Sequence, residues 1–325
     1  MIQKISLGFF PTPLHELKNL SSQYNNYRIF IKRDDHNGVA TGGNKIRKLE
    51  YLLYDALNKG YDTVITAGAQ QSNHCRLTAA FCARENLKCH LLLGGEKPTH
   101  YSGNLLLSQL LGAEIHFTGD NRKGEDIDDL VKELIKKGRK PYVIPYGGTN
   151  ETGALGYVNA VAEIKEQLKE MKQTIDYIIF ASSSGGTHAG LIAGSEINQL
   201  KSKLIGINID KDETSGNTLA NVIIGIVSKI LNTYGINSEI KRNDIHLLKD
   251  YDKAGYGVVT EHEKRAIKLL AESEGILLDP VYTARAFYAM IDLMEKQVMI
   301  PGSNVLFLHT GGLPANFHYA KNLYP

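Results

Sequence analysis

The chain has 325 residues, too many for one small core, and suits one large or two ordinary domains, of which two is the expectation. With 42% hydrophobic and 22% charged residues it is not a disordered polymer, and 37 Lys+Arg against 35 Asp+Glu leave a net charge of only +2. That balance, with no basic run, gives no electrostatic case for nucleic acid or an anionic membrane surface; a small-molecule partner is expected. No apolar stretch approaches the roughly 20 residues that cross a bilayer, and residues 1–5 lack the apolar region of a signal peptide, so a cytoplasmic protein is expected.

After an N-terminal Pro-Thr-Pro segment, residues 27–33 read as a strand. A polar, glycine-bearing loop leads to Gly42-Gly43-Asn44-Lys45-Ile46-Arg47-Lys48-Leu49, where a helix begins. Ile46, Leu49, Leu52, Leu53, Ala56 and Leu57 share one face at the 3.6-residue period, and Lys59-Gly60 is the stop signal. Strand and helix then alternate: strand 62–67, helix 73–85, strand 87–93, helix 101–111, strand 114–118, helix 127–137 and strand 141–145. A long helix near 153–172 opens a second series of strand 177–181, helix 187–200 and strand 204–209. Helices near 218–234, 261–274 and 283–296 precede a last strand at 304–309. Such alternation implies an α/β fold of open, twisted, parallel sheets with helices on both faces.

Three cations in the first turn of the helix after Gly43 break the rule that helix beginnings favour carboxylates. Either the helix starts a residue or two away with all three solvated, or the break marks a site. The field that opposes a charged lysine favours its neutral amine, the form that attacks a carbonyl, so Lys45 is the candidate nucleophile. A second motif, Ser182-Ser183-Ser184-Gly185-Gly186-Thr187-His188-Ala189-Gly190, follows a strand and opens a helix, the context for an anion cradle. Its glycine spacing matches neither a dinucleotide fingerprint nor a P-loop, and a lone phosphate monoester fits better. His188 reads as a packed or capping residue.

Gln71-Ser72-Asn73-His74 begins a helix at the carboxyl edge of the strand before it, where Ser72 or Asn73 suits both an N-cap and a ligand contact. Tyr256 lies between two glycines and Tyr282 follows Asp-Pro-Val, positions that suit a ring against a flat ligand or a phenol relaying a proton. His309-Thr310-Gly311-Gly312 closes the last strand with small polar residues. Gly147-Gly148-Thr149-Asn150 reads as a hinge or tight turn, with anion binding as the alternative. Cys75, Cys82 and Cys89 read as reduced core residues; no His/Cys pair has zinc spacing, and no metal is expected.

An imine-forming lysine, a separate phosphate cradle and a terminal hydroxyl cluster point together to pyridoxal 5'-phosphate. Over nearly its whole length the chain resembles the D-cysteine desulfhydrase and 1-aminocyclopropane-1-carboxylate (ACC) deaminase family of the tryptophan-synthase-β-like fold, fold type II. The motifs carrying this are Pro11-Thr-Pro-Leu, Lys32-Arg-Asp-Asp35, the stretch from Gly42 to Glu50, Ala69-Gln-Gln-Ser-Asn73, Gly153-Ala-Leu-Gly-Tyr157, the Ser184 loop, the stretch from Gly275 to Thr283 and His309-Thr-Gly-Gly312.

The resemblance implies that Lys45 holds the cofactor as a Schiff base and that Ser184, Gly185, Gly186 and Thr187 bind its phosphate. It implies that Asn73 bonds the ring hydroxyl, Ser72 meets the substrate carboxylate, and Tyr256 and Tyr282 flank the reacting carbon, with Thr310 beside the ring. It further implies a homodimer and a large domain (residues 1–48 and 157–325) interrupted by a small inserted domain (49–156). The deaminase branch is expected to carry Glu and Leu where this chain has Thr283 and Thr310, which favours the desulfhydrase branch. A neutral hydroxyl by the pyridine nitrogen makes a weaker electron sink than a carboxylate, and expelling thiolate demands less of that sink than opening a cyclopropane. The expected reaction is β-elimination on D-cysteine. Cyclopropane deamination, expulsion of another β-substituent such as sulfite, and cofactor binding without turnover are the alternatives.

Overall fold

The structure, a computed structural model, describes residues 2–210, 213–214 and 217–324. Its strands, numbered in chain order, are β1 (Leu14–Glu16), β2 (Arg28–Arg33), β3 (Thr63–Ala69), β4 (Lys88–Gly94), β5 (Glu114–Phe117), β6 (Pro141–Val143), β7 (Tyr177–Ser182), β8 (Lys203–Asn208), β9 (Glu213–Thr214), β10 (Asn217–Thr218), β11 (Leu247–Leu248) and β12 (Asn304–His309). They form a six-stranded sheet in the order β1-β2-β12-β7-β8-β11, a four-stranded sheet β5-β4-β3-β6 and a short β10-β9 pair. Every pairing in the four-stranded sheet is parallel; in the six-stranded sheet only β1 runs antiparallel, against β2.

The parallel strands are the apolar runs that burial on both faces requires. In β12, Val305, Leu306, Phe307 and Leu308 are all buried, and alternate residues point into different cores. Leu306 and Leu308 meet the helices Glu151–Met171, Gly186–Asn198 and Leu219–Thr233 on one face. Val305 and Phe307 meet Glu261–Glu274 and Thr283–Glu295 on the other. The four-stranded sheet is flanked in the same way, by Lys45–Asn58, Asn73–Arg84 and Gly103–Leu110 on one side and Ile127–Lys136 on the other.

The expected α/β architecture stands, with additions the sequence did not signal: β1, the helix Lys18–Gln23, the two-residue strands and the C-terminal helices Ala315–His318 and Ala320–Leu323. All are too short to show periodicity, and the short edge strands β1 and β11 gain their pairing from long-range neighbours. The limits 48/49 and 156/157 both fall inside helices: Lys45–Asn58, packed mainly in the core of the four-stranded sheet, and Glu151–Met171, packed in a core of the six-stranded sheet. These helices touch closely: a Cβ at Gly156 would overlap the Arg47 carbonyl, so only glycine allows this approach.

Arg47 locks the contact. Its guanidinium donates from Nε to Asp34 Oδ2 at 2.9 Å and from Nη2 to Asp34 Oδ1 at 2.8 Å. The same fork reaches both oxygens of Glu163 at 2.9 Å. Tyr157 donates its hydroxyl to Asp34 at 2.6 Å, and buried Lys32 holds Glu163 at 2.5 Å. Burial alone would raise the Asp34 pKa, but the charge and hydrogen bonds of Arg47 more than offset it and hold it below the usual range. Asp34→Ala leaves the buried guanidinium half-paired and is expected to cost about 3–5 kcal/mol of stability, read as a lower urea midpoint. An unchanged midpoint would show that this network is not what anchors the helix.

Candidate active site

The carboxyl ends of β3, β7 and β12 open onto one cleft, the position at which open parallel sheets bind ligands. Lys45, Ser72, Asn73, Ser184, Gly185, Thr187, Tyr282 and Thr310, drawn from positions up to 265 residues apart, all line it. Asn44, His74, Tyr146 and Gly147 complete much of the wall.

Lys45 is the first residue of the helix Lys45–Asn58, so the helix does begin at the cations. They are not solvated. Arg47 points into its carboxylates, and Lys48 is buried with Nζ donating to the Gly147 carbonyl at 3.2 Å. Lys45 keeps some surface open to the cleft, yet enough protein surrounds its amine to hold its pKa down at about 8. Desolvation is the main cause, and a hydrogen bond with Lys48 acts in the opposite direction. Lys48 is held well below the lysine range by burial and by the charge of Lys45. The sequence argument rested on the helix dipole; the structure instead sets two amines against each other in a desolvated pocket. The start of the helix is fixed by Asn44, whose N–H donates to the Thr310 carbonyl at 3.0 Å and whose Nδ2 donates to Thr187 Oγ1 at 3.1 Å.

The cradle predicted at Ser184 forms the turn into the helix Gly186–Asn198, with Gly185 at φ +89° as its N-cap. The first N–H groups of that helix have no acceptor within it and supply anion donors. A Cβ at Gly186 would lie 2.8 Å from Lys48 Nζ and 3.0 Å from Thr149 Oγ1, so the missing side chain leaves room where those donors converge. Thr149 Oγ1 donates to Ser184 Oγ at 2.6 Å. The Gly147-Gly148 turn is tight, with φ near +65° at both residues, and also belongs to the cradle wall.

Ser72 serves as the N-cap of the helix Asn73–Arg84, accepting the Cys75 N–H at 3.2 Å, and its hydroxyl proton remains available to the cleft. The Asn73 oxygen accepts from Arg76 Nη1 at 3.0 Å and from Asn104 Nδ2 at 2.9 Å. With that oxygen saturated, the carboxamide presents its NH2 group as a donor to an oxygen on a ligand. Arg76 is wholly buried, its pKa brought down to about 9 by desolvation despite the charge of Asp279.

Tyr282 stands on the cleft wall, whereas Tyr256 lies behind it and does not line the cleft. Their hydroxyls are 2.6 Å apart, and desolvation raises both pKa values well above the tyrosine range, so both are protonated near neutrality. Arg122 stacks on the Tyr256 ring at 4.6 Å, bonds Tyr146 at 3.2 Å and pairs with Asp210 at 2.7 Å. Thr283 takes no part in the lining; its hydroxyl is committed to Asp279 Oδ1 at 2.6 Å. Cys75, Cys82 and Cys89 are buried free thiols, as expected. His188 is packed edge-on against Phe180, its pKa pushed down to about 3 by burial.

Pyridoxal phosphate fits this donor set. Lys45 supplies an amine, Lys48 and the Gly186–Asn198 terminus supply cationic and N–H partners for a phosphate, and Asn73 supplies a donor for a ring hydroxyl. Two buried ring nitrogens of cleft residues, His74 Nδ1 and His188 Nε2, also lack a protein partner. Lys48, Arg76, Asn104 and Arg122 escaped the sequence reading as site residues; for the first three a polar position within an apolar helix face was the only signal, and Arg122, on the loop after β5, gave none. Because neutral amine increases as pH rises, capture of pyridoxal phosphate by the apoprotein should accelerate about tenfold per unit below pH 8 and level off above it. A level-off near 10.5, the ordinary lysine value, would contradict the desolvated amine.

Residues 5–311 match the family described as pyridoxal-phosphate dependent enzyme. A Pyrococcus abyssi (strain GE5 / Orsay) protein, provisionally named a 1-aminocyclopropane-1-carboxylate deaminase, is 39% identical over 324 residues, covering 98% of this chain and 94% of that protein. D-cysteine desulfhydrase of Klebsiella pneumoniae (strain 342) is 41% identical over 319 residues, covering 96% and 95%. The crystal structure of an ACC deaminase homologue superposes with a TM-score of 0.90 at 37% identity, covering 99% of this chain and 95% of that one. The chain belongs to the pyridoxal-phosphate dependent enzyme family, in the group that contains both the ACC deaminase and the D-cysteine desulfhydrase names.

Proposed function

We propose that the protein is a carbon–sulfur lyase that converts D-cysteine and water to pyruvate, ammonia and hydrogen sulfide. The observation that carries this reading is that no carboxylate lines the cleft among the described residues: Thr310 stands on its wall where the deaminase branch is expected to carry Leu, and Thr283, where that branch is expected to carry Glu, has its hydroxyl committed to Asp279. Pyridoxal phosphate, when bound, supplies the electron sink that stabilises negative charge at the substrate α-carbon. With only a hydroxyl at the ring, that sink is weaker, and a substrate that carries its own leaving group is favoured.

The residues divide the remaining work. Ser72, at the start of the helix Asn73–Arg84, donates its hydroxyl and the local N–H field to the substrate carboxylate. The Asn73 carboxamide, fixed by Arg76 and Asn104, holds the cofactor ring in register with Lys45. An anion in the cradle favours the charged form of Lys48, and that charge next door favours the neutral form of Lys45. Lys45 Nζ is then the base that takes the α-proton, and its low pKa suits this work near neutral pH. Tyr282 is protonated and faces the cleft, so it donates a proton to the departing sulfur, and Tyr256 resupplies it through the 2.6 Å contact.

The deciding experiment offers the holoenzyme D-cysteine, L-cysteine, D- and L-amino acids with other β-leaving groups such as sulfite, and ACC, with keto acid and sulfide both measured. The reading predicts the highest kcat/KM on D-cysteine, with sulfide equal to pyruvate, and loss of turnover in Lys45→Ala. Preferred turnover of ACC, or keto acid formed fastest from a sulfur-free substrate, would overturn it.

A further inference from the structure

On the four-stranded sheet, outside the cofactor cleft, three side chains converge that the proposed reaction does not use. His90 on β4 and Glu114 on β5 are register partners, and His116, two residues beyond Glu114, projects from the same sheet face. His90 Nδ1 and His116 Nε2 are 3.1 Å apart. The Glu114 oxygens lie 3.6 Å from His90 Nδ1 and 3.7 Å from His116 Nε2. We propose that His90, Glu114 and His116 form a binding site for a divalent transition metal of the zinc class, with water completing its shell.

The geometry is the first reason. A tetrahedral zinc with ligand bonds of 2.0–2.1 Å holds its donor atoms about 3.3 Å from one another. The 3.1 Å between the two imidazole nitrogens is slightly under that figure and their approaches to Glu114, one to each carboxylate oxygen at 3.6 and 3.7 Å, slightly over it, so side-chain adjustment would bring one oxygen and both nitrogens around a metal. Donor chemistry is the second. Two imidazoles and one carboxylate match zinc and its neighbours, whereas calcium and magnesium require more oxygen ligands.

The surroundings agree with a cation. The helix Ile127–Lys136 packs on the same face of the sheet, against Leu92 of β4. The nearby cations have partners of their own: Lys137 pairs with Glu133 at 2.5 Å and Arg139 with Asp62 at 3.5 Å. Glu114 is exposed and His116 partly so, which leaves an entry path and open coordination positions. β5 is the edge strand of its sheet, and a metal shared between β4 and β5 would pin that edge. None of the three residues lines the cleft, so the site's occupancy is separable from turnover.

The test uses untagged, full-length holoenzyme stripped of metal by chelation and titrated with Zn(II) by calorimetry, with Co(II) as the visible probe. Expected are one equivalent bound per chain, low-coordinate Co(II) absorption, and a metal-dependent rise in Tm. His116→Ala and Glu114→Gln, both at accessible positions, should each weaken binding by about tenfold or more, given that losing even a ligand's outer partner costs that much. D-cysteine turnover in both variants should equal that of the parent protein. Absence of stoichiometric binding, or equal affinity in parent and both variants, would overturn the proposal and leave an imidazole–imidazole hydrogen bond as the whole content of the cluster.

Discussion

Everything at the cleft depends on the Arg47 fork. One guanidinium joins Asp34, at the end of β2, to Glu163, in the helix Glu151–Met171, and so fixes the start of the helix that carries Lys45 and Lys48. Such a buried network is costly to desolvate and adds little net stability over apolar packing, but breaking it is expensive. Its value here is positional. With Arg47 turned into its carboxylates, Lys45 and Lys48 are left in the cleft region with no carboxylate partner of their own.

That segregation sets the electrostatics. Two amines in one desolvated pocket cannot both be comfortably protonated, and the one nearer an anion keeps the proton. Lys48 lies beside the Gly186 turn and Gly147, and an anion bound there would return the proton to Lys48 and leave Lys45 the neutral member. The same economy appears on the opposite wall, where Arg76 and Asn104 consume the acceptor of Asn73 and leave its donor free. Tyr256 and Arg122 likewise act on the cleft through Tyr282 and Tyr146.

Much of this was legible in the sequence because the signals were local. The helix Glu261–Glu274 announces itself by its capping box, Thr260 with Glu263, and by Gly275 at its end; β12 does so by an unbroken apolar run before small residues. The candidate lysine and the Ser184 turn were visible as breaks in local rules. What stayed hidden were partnerships across long separations: Arg47 with Glu163, Arg122 with Asp210, and His90 with His116 on neighbouring strands. The origin of the Lys45 shift was misplaced for the same reason, since a helix dipole can be read from a sequence and desolvation by distant segments cannot. Thr283 shows the converse: its place in the chain suggested the cleft, but the Asp279 turn claims its hydroxyl.

The claim on which the account turns is that the amine of Lys45 carries the cofactor. Borohydride reduction of the holoenzyme followed by peptide mapping measures this directly. The account predicts one pyridoxyl group per chain, on Lys45, with Lys48 unmodified. A label on Lys48, on any other lysine, or on none would contradict it.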